Sequence, residues 1–381
     1  MKTRRRDQLT IAHDISRKHL NYRLIKWFKV HQRDLPWRKT HDPYAIWLSE
    51  MMLQQTQVVT VIPYYQRFLK HFASIDKLAE APLEEVLKLW AGLGYYRRAK
   101  HLHQAAKIIR QQFGDAFPST VEELGKLPGI GRYTAGAVAS IAFDRQAAVL
   151  DGNVMRVLTR LGAIRGNIAL PAAREALWTL AERLVPRRGA GVWNQALMEL
   201  GATVCLPKNP RCDACPVRNL CRARALGLEE KLPVKHAERK IPTVHLAAVV
   251  IDSPRGFLLA KRGAGGLWEH LWEFPTFSIK SGSNGEDSAV ARLRKLLGPR
   301  AVPQRVPGKL VHRLTHRVLY YSLFYSRVNK RISAARFSKL CASDGRNYEA
   351  FRWIKNLDHL PVAKITRRIA EAAKIIAPAS D

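Results

Sequence analysis

The sequence lacks long apolar segments and is poor in acidic residues and in cysteine. No apolar run approaches the roughly 20 residues needed to cross a bilayer, so we expect no membrane-spanning helix and no insertion into a membrane. The first residues, MKTRRRDQLTIAHD, are charged but include no apolar stretch, which argues against a secretory signal. We therefore expect a protein that works inside the cell, in the cytoplasm.

The shortage of acidic residues gives the chain a strong positive charge. It contains 64 Lys and Arg residues but only 31 Asp and Glu residues, a formal net charge of +33 at pH 7. The excess is divided almost evenly between residues 1–232 and 233–381, so no single basic tail accounts for it. Such a charge attracts polyanions and favours nucleic acid or an anionic membrane surface as the partner. A basic protein without such a partner is the alternative.

Four of the five cysteines fall in one short segment, as Cys205-x6-Cys212-x2-Cys215-x5-Cys221. In a reducing compartment this pattern favours a metal site over a set of disulfides. Four thiolates can hold Zn²⁺ or a [4Fe–4S] cluster, and the spacing slightly favours iron–sulfur because only one pair is close. We expect the remaining cysteine, Cys341, to be a buried apolar residue.

Local patterns predict a helical region followed by a smaller α+β region. Asp42-Pro43 is a helix start signal, and helical periodicity continues from it to Phe72. Residues 222–242 are charged and lack aromatic residues, which predicts an interdomain linker. Further helices are predicted at 83–90, 97–113, 119–126, 132–143, 153–162, 171–185 and 191–203. Strands are predicted at 244–251, 256–262 and 317–328, and helices near 288–297 and at 361–376.

Two segments of the helical region contain residues suited to DNA chemistry. Gly129 and Gly131 in LPGIG expose backbone N–H groups at the start of a helix, which suits a phosphate contact; an ordinary helix–helix turn is the alternative. In WLSEMMLQQTQV, Glu50, Gln54 and Gln57 lie at i, i+4 and i+7 on one helical face. A solvated polar stripe is the alternative, but the apolar neighbours of Glu50 favour a raised carboxyl pKa and an available proton.

The motifs together resemble two nested families. The LPGIG turn, the single Asp151 that follows it and the cysteine spacing resemble the helix-hairpin-helix DNA glycosylases of the endonuclease III class. The segments WLSEMMLQQTQV, GLGYYRRA, LPGIGRYTAGAV, DGNVMRV and WNQALMELGATVC resemble the adenine DNA glycosylases of the MutY family over nearly all of residues 22–221. The resemblance implies a [4Fe–4S] cluster on the four clustered cysteines. The phosphate contacts near this cluster would be Arg211, Arg218 and Arg222.

The MutY resemblance implies a monomeric enzyme that acts on duplex DNA at the bacterial nucleoid. Its substrate would be adenine paired with 8-oxoguanine or guanine, flipped out of the helix. Glu50 would protonate N7 of adenine, and Asp151 would stabilise the cationic sugar. Tyr133 and Asn153 would position Asp151 and the nucleophile.

Other residues would bind the DNA by the same resemblance. Arg38 and Gln195 match the positions that contact the flipped adenine, although each could have a structural role instead. Gln54 and Tyr95 match the residues that fill the gap left in the base stack, with a core aromatic as the alternative for Tyr95.

Position 133 separates two enzyme classes. Relatives that also cleave the DNA strand have a lysine two residues after the last glycine of the turn, and its amine forms a Schiff base. Tyr133 cannot form an imine, so we expect hydrolysis of the glycosidic bond without strand cleavage. A strand-cleaving glycosylase for oxidised pyrimidines and a DNA-binding protein with a vestigial site are the alternatives.

Residues 243–376 resemble the Nudix-like C-terminal domain of the MutY family, most clearly in GLWEHLWEFP. Nudix hydrolases need several glutamates to hold Mg²⁺, and the matching segment offers only Glu286 and Asp287, so we expect a domain that reads 8-oxoguanine. The family's reading loop is Phe-Ser-His, and this chain has Leu314-Thr315-His316. Thr315 and His316 can still form hydrogen bonds with the lesion, whereas the aromatic ring is lost. A purely structural histidine is the alternative.

Overall fold

The computed structural model describes residues 16–114, 116–234, 241–298, 302–328, 347–358 and 360–374. The contacts divide these residues into two compact units. The first contains residues 16–80 and 101–234, and the second contains residues 81–100 and 241–374. Cys341, which we expected to be buried, lies outside the described residues.

The first unit is helical, as the sequence predicts. Its elements in chain order are α1 (Arg17–His31), α2 (Pro43–Leu53), α3 (Val58–His71), α4 (Ile75–Glu80), α6 (Arg97–Phe113, whose first residues group with the second unit), α7 (Val121–Gly125), α8 (Arg132–Phe143), α9 (Gly152–Leu161), α10 (Pro171–Leu184), α11 (Ala190–Thr203) and the short α12 (Arg222–Ala225).

Helix α2 begins where the sequence signal places it but ends earlier than predicted. The Asp42 side chain accepts hydrogen bonds from the backbone N–H groups of Tyr44 and Ala45, and Pro43 occupies the first helical position. The chain leaves the helix after Leu53, passes through Gln55 at φ +59°, and resumes as α3. The expectation that Gln57 shares a helical face with Glu50 is therefore wrong, because Gln57 is the N-cap of α3.

The core of the first unit packs α8, α9, α10 and α11 together with α1. Buried side chains on these helices form one continuous apolar cluster that includes the fully buried Trp193. Burial of this apolar surface is the main stabilising contribution to the unit. Tyr133, Asn153 and Gln195 lie on α8, α9 and α11, and Asp151 is the N-cap of α9, so the packed core positions these four predicted site residues.

The first part of the predicted linker belongs to the first unit. After α12, the Leu232 side chain is only 4% exposed, and its carbonyl accepts a hydrogen bond of 2.9 Å from Arg160 Nε. Val234 forms an isolated bridge with Asn167. Residues 222–234 therefore pack against the first unit, whereas residues 235–240 lie outside the described residues.

The second unit is an α+β structure. It contains α5 (Leu83–Trp90), α13 (Ser283–Leu297), α14 (Lys364–Lys374) and, among the described residues, seven strands: β1 (Thr243–Ser253), β2 (Gly256–Arg262), β3 (Trp272–Glu273), β4 (Thr276–Ser278), β5 (Gln304–Arg313), β6 (Val318–Arg327) and β7 (Tyr348–Ile354). The sheet order is β3-β2-β1-β6-β5, β4 pairs with β1, β7 pairs with β2, and β1 and β6 run parallel. No helix in the described part of either unit is long and apolar enough to cross a membrane.

Candidate active site

A cavity of about 560 Å³ opens in the first unit, between side chains of α2, α8, α9 and α11. Its size lies in the usual range of small-molecule sites. The structure brings seven of the sequence-predicted residues to its walls: Arg38, Glu50, Gln54, Tyr133, Asp151, Asn153 and Gln195. No lysine is among the described residues that line it.

Glu50 is a buried carboxyl group with one strong hydrogen-bond donor. Its residue is 5% exposed, and the Tyr133 hydroxyl donates to Oε2 at 2.8 Å. Burial raises the pKa of Glu50 to about 7, against the opposing effect of the Tyr133 hydrogen bond. The nearby Asp151 raises this pKa further, and Arg38 lowers it. Glu50 can therefore hold a proton near neutral pH.

Asp151 caps the N-terminus of α9. Its Oδ1 accepts from the Val154 backbone N–H at 2.7 Å, and its Oδ2 accepts from Asn153 Nδ2 at 3.1 Å. Burial raises the pKa of Asp151, and these hydrogen bonds oppose the shift. The Tyr133 hydroxyl points to Glu50. Asn153 is therefore the predicted positioning residue that bonds directly to Asp151.

Arg156 holds the side chain of Asn153 in place, a role that was not predicted from the sequence. Its Nη2 donates to Asn153 Oδ1 at 2.9 Å, and its Nε donates to the Cys205 carbonyl at 2.7 Å. This contact orients the amide of Asn153 with its NH₂ toward Asp151. The sequence does contain one indication of this role, because Arg156 stands three positions after Asn153 and therefore on the same face of the predicted helix.

Glu199 is a second buried carboxyl group that sequence reasoning missed. It is fully buried, and Arg33 Nε and Arg38 Nη2 each approach one of its oxygens at 2.8 Å. Burial alone would raise its pKa, but the hydrogen bonds from the two arginines outweigh this and lower the pKa to about 2. Arg38 is thus held at the cavity wall by an ionised partner. The sequence does contain one indication of this role, because Glu199 is an acidic residue in an apolar helix, four positions after Gln195.

The two predicted glutamines lie at different parts of the cavity. Gln195 on α11 is half-buried and lines it directly. Gln54 follows the last residue of α2, and its Nε2 donates to Thr134 Oγ1 at 3.3 Å. The side chain of Gln54 is therefore connected to α8, the helix that carries Tyr133.

The LPGIG segment forms the tight turn between α7 and α8, away from the cavity lining. Gly129 has φ +76°, and a Cβ there would lie 2.6 Å from the Cβ of His101, so only glycine fits. Gly131 is the N-cap of α8 and has extended backbone. The first N–H groups of α8 have no acceptor within the helix, which gives the turn the geometry of an anion contact.

The four clustered cysteines follow α11 and are free thiols. All four line one small cavity, together with Arg160. Arg160 is 1% exposed, and its guanidinium donates to the carbonyls of Leu206 and Pro207 and to Cys205 Sγ at 3.2 Å. A buried cation beside the thiols suits a centre with net negative charge, as four thiolates on a metal cluster provide. Among the described residues no three His, Cys, Asp or Glu side chains meet as they would around one ion.

A second cavity, of about 690 Å³, lies within the second unit. Tyr95, Thr315 and His316 line it, and the Tyr95 hydroxyl donates to Thr315 Oγ1 at 3.4 Å. Tyr95 is 41% exposed, unlike a core aromatic. Its φ of +48° is uncommon for a residue with a side chain and often marks a functional position.

The acidic residues of the Nudix-like segment form internal contacts. Glu286 is 9% exposed, accepts from Ser322 Oγ at 2.8 Å and pairs with Arg305 at 3.0 Å. Asp287, next to it on α13, is exposed. In the described part of this unit, no cluster of three or more His, Cys, Asp or Glu side chains is arranged to hold a metal ion.

Comparisons with known proteins agree with this architecture. Three family models match: HhH-GPD superfamily base excision DNA repair protein over residues 48–183, the iron–sulfur binding domain of endonuclease III over 205–221, and the NUDIX domain over 246–372. A solved thermostable thymine-DNA glycosylase is similar in structure, with a TM-score of 0.51 and 31% identity, over 55% of this chain and 97% of that one.

Curated relatives that include a bacterial, a mouse and a rat protein carry the description adenine DNA glycosylase. The protein of Buchnera aphidicola subsp. Baizongia pistaciae is 40% identical, over 67% of this chain and 72% of its own length. The mouse protein is 38% identical over 72% of this chain. The chain spans 64% of the mouse relative and 62% of the rat relative.

Proposed function

Because this chain belongs to the adenine DNA glycosylase family, we propose that it removes adenine from duplex DNA by hydrolysing the N-glycosidic bond. It acts as a monomer in the bacterial cytoplasm, on adenine paired with 8-oxoguanine or guanine. The observation that carries the proposal is the buried Glu50 carboxyl, whose pKa of about 7 leaves about half of it protonated at neutral pH.

The first chemical role belongs to Glu50. Adenine leaves poorly until its N7 is protonated, so a proton donor must lie beside the flipped base. Glu50 lines the cavity and carries such a proton. The hydroxyl of Tyr133 bonds to Oε2, which leaves Oε1 to carry the proton and face the base.

The second role belongs to Asp151. As the bond from C1′ to N9 breaks, positive charge develops on the sugar, and a carboxylate stabilises it. The N-terminal end of α9 and Asn153 favour the ionised form of Asp151. Water then completes the hydrolysis at C1′.

Side chains in the cavity wall would recognise the adenine base. Arg38 offers N–H donors, and Gln195 offers both a donor and an acceptor to the polar edges of the base. Glu199 fixes the position of Arg38 and balances its charge. Arg38 therefore acts as an oriented hydrogen-bond donor with its charge compensated.

The second unit would read the partner base. Thr315 and His316 present a hydroxyl and an imidazole to its cavity, and these groups can hydrogen-bond to 8-oxoguanine. Tyr95, exposed in the same cavity, would fill the gap left by the flipped nucleotide, as would Gln54 in the first unit.

The cysteine loop would hold a [4Fe–4S] cluster. The family match over residues 205–221 and the buried Arg160 beside the thiols support this assignment. The cluster would fix the loop in one conformation. Arg211, Arg218 and Arg222 are exposed on or beside this loop, and Gly129 and Gly131 lie in the α7–α8 turn; both segments would contact DNA phosphates.

The test is single-turnover cleavage of end-labelled duplexes. Adenine opposite 8-oxoguanine is the substrate, and adenine opposite thymine and thymine glycol opposite adenine are the controls. Each sample is divided, and half is heated in alkali before electrophoresis. We expect breaks only after alkali, and only in the duplex with adenine opposite 8-oxoguanine.

A matched variant isolates the acid. Glu50→Gln keeps the shape of the side chain, so binding should persist while excision falls by about 100- to 10,000-fold. Near-normal excision by this variant would remove Glu50 from the mechanism. Breaks in the thymine-glycol duplex without alkali would replace the proposal with a strand-cleaving glycosylase.

A further inference from the structure

The lesion-reading loop of this chain lacks the aromatic ring that the resemblance leads one to expect. Leu314 stands at that position and lines the cavity of the second unit beside Thr315 and His316. A leucine offers apolar contact but no ring for a base to stack on. The cavity nevertheless contains an aromatic side chain from another segment, Trp268 of the loop between β2 and β3.

Trp268 is placed so that its ring is accessible and ordered. The residue is half-buried, and its indole packs edge-on against the His312 ring, with centroids 5.5 Å apart. Burial, together with the charges of Arg368 and Lys364, lowers the pKa of His312, so the imidazole is neutral at pH 7. The His312 ring therefore packs against the indole without placing a charge beside it, and both residues line the cavity.

The backbone that presents Trp268 is strained. Trp268 has φ +59° and His270 has φ +62°, a left-handed conformation that is unfavourable for residues with side chains. Glu269 lies between them and accepts from the Gly265 N–H at 2.9 Å and from Lys100 at 3.1 Å. The His270 ring pairs with Glu349 at 3.0 Å. These contacts hold a conformation that the local sequence does not favour.

The rest of the cavity wall matches a nucleic-acid strand. Arg97, Arg313, Arg317 and Lys364 line it, and the acidic Glu269 is already paired. Cations around an aromatic surface, with hydroxyl and imidazole groups nearby, are what a nucleotide's phosphate, base face and base edge require.

We propose that Trp268 is a DNA-binding residue, which supplies the aromatic surface for the base opposite adenine that Leu314 does not provide. The inference rests on the proposed function, because the occupant is the partner base of the mispair. It assigns Thr315 and His316 to the polar edge of that nucleotide and Trp268 to its apolar face.

The test measures binding, so it does not depend on turnover. Duplexes contain a 2′-fluoro adenosine, which resists hydrolysis, opposite either 8-oxoguanine or an abasic-site analogue that has no base, and the ratio of the two Kd values reports the contact with the base. Loss of one base–aromatic contact is worth about 1–3 kcal/mol. We therefore expect Trp268→Leu to reduce the ratio by about 5- to 160-fold, and Trp268→Phe to retain most of it.

Two further variants separate recognition from folding. Trp353→Leu removes another half-buried tryptophan of the same unit, outside the cavity lining, and should leave the ratio unchanged. Adding Leu314→Phe to Trp268→Leu should restore the ratio, because a ring returns to the same cavity. An unchanged ratio in Trp268→Leu, or no rescue by the second ring, would overturn the inference. Excision by the wild type, measured separately, tests the proposed function.

Discussion

Replacing Glu50 by glutamine should stabilise the protein at alkaline pH while it removes the proposed acid. The reason is that the cavity holds a carboxyl group in surroundings that disfavour its ionised form. Glutamine keeps an acceptor for the Tyr133 hydroxyl and carries no charge at any pH. The variant therefore removes the cost of ionising a buried group.

The magnitude follows from the pKa. Burial raises the pKa of Glu50 from 4.5 to about 7, so between these values the folded protein keeps a proton that the unfolded chain has released. Stability of the wild type must fall as the pH rises through this window. The full shift corresponds to about 3 kcal/mol, and about 2.5 kcal/mol of it is lost between pH 5 and pH 8. The free energy of unfolding of Glu50→Gln should not fall by this amount, because glutamine does not ionise.

The assay is differential scanning calorimetry of the full-length holoprotein at pH 5, 6, 7 and 8. For a unit of this size, about 2.5 kcal/mol changes the Tm by about 5–10 °C. The difference in Tm between Glu50→Gln and wild type should therefore increase by that amount from pH 5 to pH 8. Any constant effect of the substitution on packing cancels in this comparison.

The control makes the same chemical change on the surface. Glu122→Gln alters an exposed residue of α7, so its Tm should differ from the wild type by a nearly constant amount across the series. If Glu50→Gln also showed a constant difference, or became less stable than the wild type as the pH rose, the buried-acid assignment would be refuted.

Other predictions follow from the same contacts. The single-turnover rate should fall about tenfold per pH unit above pH 7 as Glu50 loses its proton, which a pH–rate profile checks. Asp42→Ala removes the cap of α2 and should lower the free energy of unfolding by about 1 kcal/mol in urea titrations, whereas Asp42→Asn should not. Gly201→Ala places a Cβ 2.6 Å from the Cβ of Asn153 and should slow excision with little change in DNA affinity. Cys212→Ser should lower the iron content measured in the purified protein.

The sequence predicted those elements that strong local signals define. The glycine turn before residue 132 and the uninterrupted periodicity after it predicted α8 with its observed bounds, and β2 was equally clear. Strand β5 was not predicted, because Pro307 and Gly308 interrupt its pattern. The structure accommodates them where the pairing with β6 shifts register. The break in α2 after Leu53 has no glycine or proline to signal it.

Some residues of the candidate site could likewise be predicted from local sequence motifs, and others could not. Glu50 and Asp151 were accessible from motifs, because each stands in a segment with a recognisable pattern. Arg156, Glu199 and Trp268 were not, because their roles depend on contacts between distant segments. The grouping of residues 81–100 with the second unit is equally nonlocal, since it depends on contacts such as Lys100 with Glu269.

Two buried glutamates at one cavity show how the fold assigns chemical roles. Glu50 and Glu199 are both almost inaccessible to water, and burial raises the pKa of either one. Two arginines bond directly to Glu199 and keep it ionised, whereas the hydrogen bond that the structure shows to Glu50 comes from the uncharged hydroxyl of Tyr133. The pKa values separate to about 2 and about 7. Glu50 can therefore hold a proton at neutral pH, whereas Glu199 stays ionised and holds Arg33 and Arg38 at the cavity wall.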